Sequence, residues 1–185
     1  YGGSHRAFAD GLERWSRHEI ELMTLPARHW KWRMHGAAPI FAERIAERHG
    51  RADTFDLLLV TSLTDVADLR SLLSQIGPVP PILLYLHETQ FDYPPGPGEG
   101  RDARYGFRNL LSLAAADYAL FNSASHRRRF FGDAEAFLSR LPKPVPRSLI
   151  SAARQKSGVL YPGIELPGAA RGAASAAEAP RPSAR

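Results

Sequence analysis

Ile82-Leu83-Leu84-Tyr85-Leu86-His87-Glu88-Thr89-Gln90-Phe91-Asp92-Tyr93-Pro94 is the stretch whose reading decides the fold. It opens as an apolar run of strand length and then turns abruptly polar. A continuous apolar run, rather than an alternating one, is the mark of a parallel strand buried on both faces. In open sheets of that kind ligands gather at the carboxyl ends of the strands. His87, Glu88 and Gln90 are therefore expected at the lip of a cleft. Pro94-Pro95-Gly96-Pro97-Gly98 follows as a loop.

Working outward, the same pattern recurs. Phe55 to Val60 reads as a second buried strand, with Thr61-Ser62 at its carboxyl end and Ser62 as a candidate helix cap. Tyr118-Ala119-Leu120-Phe121 reads as a third, followed by Asn122 and by Ser123, a good N-cap. Val159-Leu160-Tyr161 reads as a fourth, and Ile20 to Leu25 alternates like a strand and stops at Pro26. Helical spacing lies between them. Phe8, Leu12 and Trp15 share a face; Ala38 to His49 is a helix stopped by Gly50; Val66, Leu69, Leu72 and Leu73 point inward from another. Tyr105 to Ala116 is the next. A helix through Phe130 and Phe131, a short further turn capped by Asp133, and a last helix from Arg147 to Lys156 complete the set. The alternation predicts an α/β domain with a Rossmann-like parallel sheet and helices on both faces. Tyr1-Gly2-Gly3-Ser4-His5 looks like a strand-to-helix turn whose strand is missing upstream. From Pro167 to Arg185 no large apolar residue occurs, and a disordered Ala/Pro/Arg-rich tail or linker is expected.

Composition narrows the chemistry. The 185 residues, 44% of them hydrophobic, suffice for one domain with a substantial core. There is no cysteine, which excludes disulfides, zinc-thiolate sites and thiol catalysis and fits a cytoplasmic location. No apolar run approaches the ~20 residues a membrane helix needs, so no membrane partner is expected. The formal charge is +5, and all but Lys31, Lys143 and Lys156 of the 24 basic side chains are arginine. A phosphate-bearing partner is one reading, an arginine-biased surface the other.

Arg28-His29-Trp30-Lys31-Trp32-Arg33-Met34-His35 shows neither a helical nor a strand period and reads as a loop. Tryptophan faces stack on bases or sugars, and the interleaved cations contact phosphates. The alternative is that the tryptophans cover the core edge while the cations stay solvated. Gly2-Gly3 before a helix lets backbone N–H groups approach an anion, or is an ordinary turn. His87 at a strand end is a plausible donor or base, or a structural histidine bonding a neighbouring loop. His5, His29 and His35 lack ligand spacing, and no metal site is expected. Nucleotide-binding, metalloprotease and serine-hydrolase signatures are absent.

Five motifs then occur in order: Tyr1-Gly2-Gly3-Ser4-His5; Leu25-Pro26-Ala27-Arg28-His29-Trp30-Lys31-Trp32-Arg33; His87-Glu88-Thr89-Gln90 with Tyr93-Pro94; Arg104-Tyr105-Gly106-Phe107-Arg108-Asn109; and Phe121-Asn122-Ser123. Together they resemble the N-terminal domain of the tRNA-queuosine α-mannosyltransferase family, of the GT-B glycosyltransferase class, over residues 1–166. The resemblance implies the acceptor-side half of a two-domain, retaining transferase that moves mannose from GDP-mannose to queuosine in tRNA, with no further cofactor. It implies catalytic roles for His87 and Glu88. Gly2, Gly3, Ser4, Asn122 and Ser123 fall on the donor side. Arg28, Trp30, Lys31, Trp32, Arg33, Gln90 and Tyr105 fall on the acceptor side. It also implies that a C-terminal donor domain is required and that this fragment is inactive alone. The competing reading is a non-catalytic nucleic-acid-binding module with the same fold.

Overall fold

A computed structural model describes residues 2–91 and 102–163. The expected loop at Pro94 to Gly98 and the expected tail at Pro167 to Arg185 lie outside the described residues, as do Tyr1 and Tyr93. The sheet has four strands, β1 (Leu58–Thr61), β2 (Ile82–Leu86), β3 (Tyr118–Phe121) and β4 (Ser157–Val159). They are all parallel and lie side by side in chain order. In register, Leu84 faces Val60 on one side and Ala119 on the other. The helices are α1 (Gly3–Trp15), α2 (Trp30–His49), α3 (Val66–Leu73), α4 (Arg104–Ala115), α5 (Ala124–Ser139) and α6 (Ser148–Gln155), and Ala52–Thr54 forms one 3-10 turn. The chain is α/β with a Rossmann-like parallel sheet, as the apolar runs predict.

Strand order explains where the core sits. Right-handed crossovers that always step in the same direction place their helices on the same face of the sheet. Ile82, Leu84 and Leu86 of β2 and Ala119 and Phe121 of β3 accordingly meet Val66 of α3, Leu110 and Leu113 of α4, Phe130, Phe131, Ala134 and Leu138 of α5, and Ile150 and Ala153 of α6. A second cluster seats Ala38, Ala42 and Ile45 of α2 on Leu69 and Leu73 of α3. The opposite face is contacted by α1 through one stacked pair, Phe8 on Tyr85, with ring centroids 4.1 Å apart. Leu59 and Tyr118 on that side are exposed.

Lys156, at the mouth of β4, ties the sheet to the end of α4. Its ammonium donates to the carbonyls of Ala114 and Ala116. Asp117 accepts from the Ile82 amide at 2.7 Å and pairs with Arg70. Its carboxyl is held below its ordinary range, first by that backbone bond.

Five local expectations are corrected. Ile20 to Leu25 alternates but is not a strand. It has no ladder partner among the described residues and lies along α2 instead. Met23 packs on the α2–α3 cluster, Arg44 donates to the Thr24 carbonyl at 2.9 Å, and Glu21 pairs with Arg48 and His49 at 2.8 Å. The basic-aromatic segment is not a loop, because α2 begins at Trp30. Pro39 suits a helix start, yet it stands inside α2, which buries Met34, Gly36, Ala37 and Ala38. The helix after β3 is continuous through Gly132-Asp133, because Phe130, Phe131, Ala134 and Leu138 form one buried stripe whose packing outweighs the ~1 kcal/mol propensity cost of a glycine. The cap of α3 is Asp65, whose carboxylate accepts from the Asp68 amide at 3.0 Å, and not Ser62. The last strand is Ser157–Val159; Leu160 and Tyr161 lie beyond it and are exposed.

Candidate functional site

β2 ends at Leu86, and the next residues turn along the carboxyl edge of the sheet. Phe91 fixes that turn. Its ring lies against Gly106 of α4 so closely that a Cβ there would sit 2.3 Å from it. Its amide donates to Thr89 Oγ1 at 3.2 Å, and its side chain is buried. Asn122, at the end of β3, holds the turn from the other side. Its Nδ2 donates to the His87 carbonyl at 2.6 Å, and its Oδ1 accepts from His126 Nδ1 at 2.9 Å. Because a carbonyl only accepts, the amide orientation is set, and His126 must carry its proton on Nδ1. Ser123 Oγ accepts the His126 amide at 3.1 Å and caps α5.

Three imidazoles and a carboxylate meet here. His5, from the first turn of α1, lies with its ring centroid 4.0 Å from that of His87, and its Nε2 is 3.4 Å from Glu88 Oε1. Phe8 and Tyr85 meet His87 edge-on at 5.4 and 4.8 Å. Gln90 donates to the same Glu88 oxygen at 3.4 Å. His87 is only 8% exposed, and its Nε2 has no hydrogen-bond partner. The expectation of an open, cleft-facing ring is corrected: α1 covers it. Burial, with His5 beside it, pushes the His87 pKa down to about 4, so the ring is neutral near pH 7. Burial likewise lowers His126. For Glu88 burial acts upward, but the hydrogen bond from His5 and the three imidazoles outweigh it and hold the carboxyl below its usual range. The chemical product is an anionic carboxylate beside a neutral imidazole whose Nε2 lone pair or proton is uncommitted. Among the described residues no group of His, Asp and Glu is arranged to hold a metal.

Gly2, Gly3 and Ser4 open α1 at this same edge. Gly3 adopts φ 55°, in the left-handed region that favours glycine; Gly2 is extended. Ser4 is exposed. The polar atoms of Asn122 and Ser123 are engaged within the protein, in the clamp and the cap. From the sequence His5 stands out only as part of its motif and as a non-ligand, and His126 is not singled out. His126 had a readable signal, since it stands three residues after an N-cap serine and so returns to the strand end.

The second group lies at the starts of α2 and α4. Trp30 meets Tyr105 edge-on at 5.1 Å, with Lys31 Nζ 5.8 Å from the Trp30 ring. His35 lies 6.1 Å from Tyr105. Trp32 is exposed and folds back over Gly36, where a Cβ would come within 2.8 Å of the indole. Arg33 is half-buried and Arg28 exposed. Gln90, expected with this group, bonds Glu88 instead. None of α1, α2, α4 and α5 carries an acid in its first turn. At α4 the Asp102 carboxylate accepts the Arg104 amide at 3.0 Å, so the positive dipole ends of α1, α2 and α5 are the ones that suit an anionic ligand. A surface groove of about 560 Å³ between α5 and α6, lined by Leu138, Arg147, Ile150 and Arg154, includes none of these residues.

Residues 1–164 match the family described as tRNA-queuosine alpha-mannosyltransferase N-terminal. The chain belongs to that family. A Drosophila melanogaster tRNA-queuosine alpha-mannosyltransferase is 33% identical over 162 residues, which is 87% of this chain and 42% of that protein. The chain thus spans less than half the length of this relative. No solved structure matches it. Both residue groups stand on helices and turns within the span that matches this N-terminal family. No described helix is long and apolar enough to cross a membrane.

Proposed function

We propose that this chain is the acceptor-side half of a cytoplasmic GT-B glycosyltransferase that moves mannose, with retention, from GDP-mannose to queuosine in tRNA. A donor-binding half completes the enzyme, and residues 1–166 on their own are inactive. The observation that carries the reading is the meeting of His5, His87 and Glu88 at the carboxyl end of β2, within a chain of this family.

The roles follow from charge. Sugar transfer develops positive charge at the anomeric carbon and negative charge on the leaving diphosphate. Glu88, an anion, favours the first. The early N–H groups of α1 after Gly2-Gly3 favour the second. His87, neutral at pH 7, serves as a hydrogen-bonding group to the sugar and not as a cation. For its ring to reach a sugar, α1 has to shift, since His5 and Phe8 lie over it. Arg28, Trp30, Lys31, Trp32, Arg33 and Tyr105 hold the RNA, the cations on phosphates and the rings on bases.

The test is transfer of labelled mannose from GDP-mannose to queuosine-containing tRNA by this chain together with its donor half. His87→Ala is expected to lower turnover by roughly 10², the scale of one preorganised donor. Because His87 is buried, the folded fraction is measured in parallel. Full turnover per folded molecule would leave His87 a structural residue. RNA binding without any transfer would favour the non-catalytic module.

A further inference from the structure

Arg108 of α4 is spread across three elements. Its Nη1 lies 3.1 Å from Asp65 Oδ2, whose side chain is fully buried, and its Nη2 lies 3.7 Å from Asp68 of α3. The same Nη2 lies 3.3 Å from His35 Nδ1 on α2. A guanidinium has donors only. His35 Nδ1 must therefore accept, and the ring proton must sit on Nε2. His35 itself is exposed. Its ring stands beside Tyr105, which in turn meets Trp30. Arg108 is one helical turn past Tyr105, so one rigid stretch of α4 sets both the aromatic ring and the tautomer of the imidazole next to it.

From this arrangement we infer that His35, oriented by Arg108, is a base-recognising residue: its Nε2–H donates to the edge of an unstacked RNA base that lies against Tyr105 and Trp30. The inference rests on the proposed RNA acceptor. The physical grounds are specific. Sequence-dependent contacts with RNA are made to splayed single-stranded bases, through an aromatic face and an edge-directed hydrogen bond together. A phosphate site needs cations, and Lys31 supplies one nearby. His35 instead presents an Nε2–H donor whose direction the Arg108 contact fixes, which suits the edge of a base. Arg108 acts as a positioning residue, since its guanidinium is held by Asp65 and lies against His35. A lysine in its place has no fork with which to reach both.

The experiment uses the whole chain and a stem-loop RNA carrying 2-aminopurine at one loop position at a time. Affinity is read at several salt concentrations, and stacking is read as quenching. Wild type is expected to bind and to quench at one loop position. His35→Phe keeps a ring and loses the donor. It should weaken binding roughly three- to tenfold, the scale of one hydrogen bond, with the salt slope unchanged. His35→Gln, which restores an N–H donor, should recover part of the loss. Arg108→Lys should resemble His35→Phe. Lys31→Glu should reduce the salt slope, as a lost phosphate contact does. RNA binding that His35→Phe leaves untouched, or a His35→Phe loss that appears as a changed slope, would overturn this assignment while the RNA reading stands. Absence of RNA binding by the wild-type chain would remove the acceptor reading itself, and this inference with it.

Discussion

The ring of Phe91 lies against the backbone of Gly106 at a distance that leaves no room for a methyl group. This single contact joins the two residue groups. Phe91 ends the turn that carries His87 and Glu88, and Gly106 follows Tyr105 in the helix that carries Arg108. Phe91 also packs on Phe130 and Phe137, at 5.5 and 5.7 Å between centroids. A side chain on Gly106 would therefore push a ring that has buried neighbours behind it.

Gly106→Ala is accordingly expected to destabilise the fold. Helix propensity alone favours alanine by about 1 kcal/mol, but overpacking a filled core costs roughly 1–3 kcal/mol. Gly132→Ala in α5 is the matched control: no atom beyond its chain neighbours and its own helix backbone lies within 4 Å of its added Cβ, and it should stabilise by up to about 1 kcal/mol. Urea midpoints of the two variants should move in opposite directions. A stabilised Gly106→Ala would show that Phe91 yields freely.

Stability should fall as pH falls from about 6.5 to about 4. The folded-state pKa of His87 is near 4 and its unfolded value is near 6.5. Between those values the unfolded chain binds the proton and the folded chain does not, so protonation favours unfolding. His126 is shifted in the same direction and adds to the slope. Glu88, lowered in the fold, adds to it below about 4.5. In His87→Gln the slope between pH 6.5 and 4 should be visibly flatter. Chemical unfolding across that range measures it, and an equal slope in both proteins would mean that the ring is solvated.

His5 controls the environment of His87. Its ring covers one face of His87 and its positive form disfavours a second proton there. His5→Ala should raise the His87 pKa from about 4 toward 6.5, read by NMR titration of the imidazole. Phe8→Ala should act in the same direction by uncovering Tyr85 and the edge of His87. A pKa left near 4 in both variants would show that α1 is not what shields the ring.

Lys156 closes α4 and β4 together. Its ammonium meets two carbonyls at the negative end of α4, one of them at 2.6 Å. Lys156→Met keeps the aliphatic stem and removes the donors. A loss of roughly 1.5–3 kcal/mol is expected, the range for hydrogen bonds to a charged group, seen as a lower Tm. An unchanged Tm would mean that water satisfies those carbonyls equally well.

Runs of local sequence determined a good part of this protein. Ile82 to Leu86, Leu57 to Val60 and Tyr118 to Phe121 are apolar along their length, the pattern of parallel strands, although only β2 is buried nearly throughout and Leu57, Leu59 and Tyr118 are exposed. That pattern was enough to predict a parallel sheet, and with it the polar strand ends at His87 and Asn122. Gly50 and Ser123 marked helix ends because their chemistry there is local. Tertiary structure alone decided the rest. Ile20 to Leu25 has a strand's alternation, but a strand exists only with a ladder partner, and contacts with α2 hold the segment instead. Arg28 to His35 lacks a helical period, yet Met34, Gly36 and Ala37 are buried by α2's neighbours and draw the helix back to Trp30. The meeting of His5 with His87 and Glu88, and the span of Arg108 from Asp65 to His35, join residues up to 83 positions apart in the chain. Spacing along a sequence carries no information about such distances; only the packing of α1, α4 and α5 against the sheet brings these side chains within hydrogen-bonding or ring-contact range.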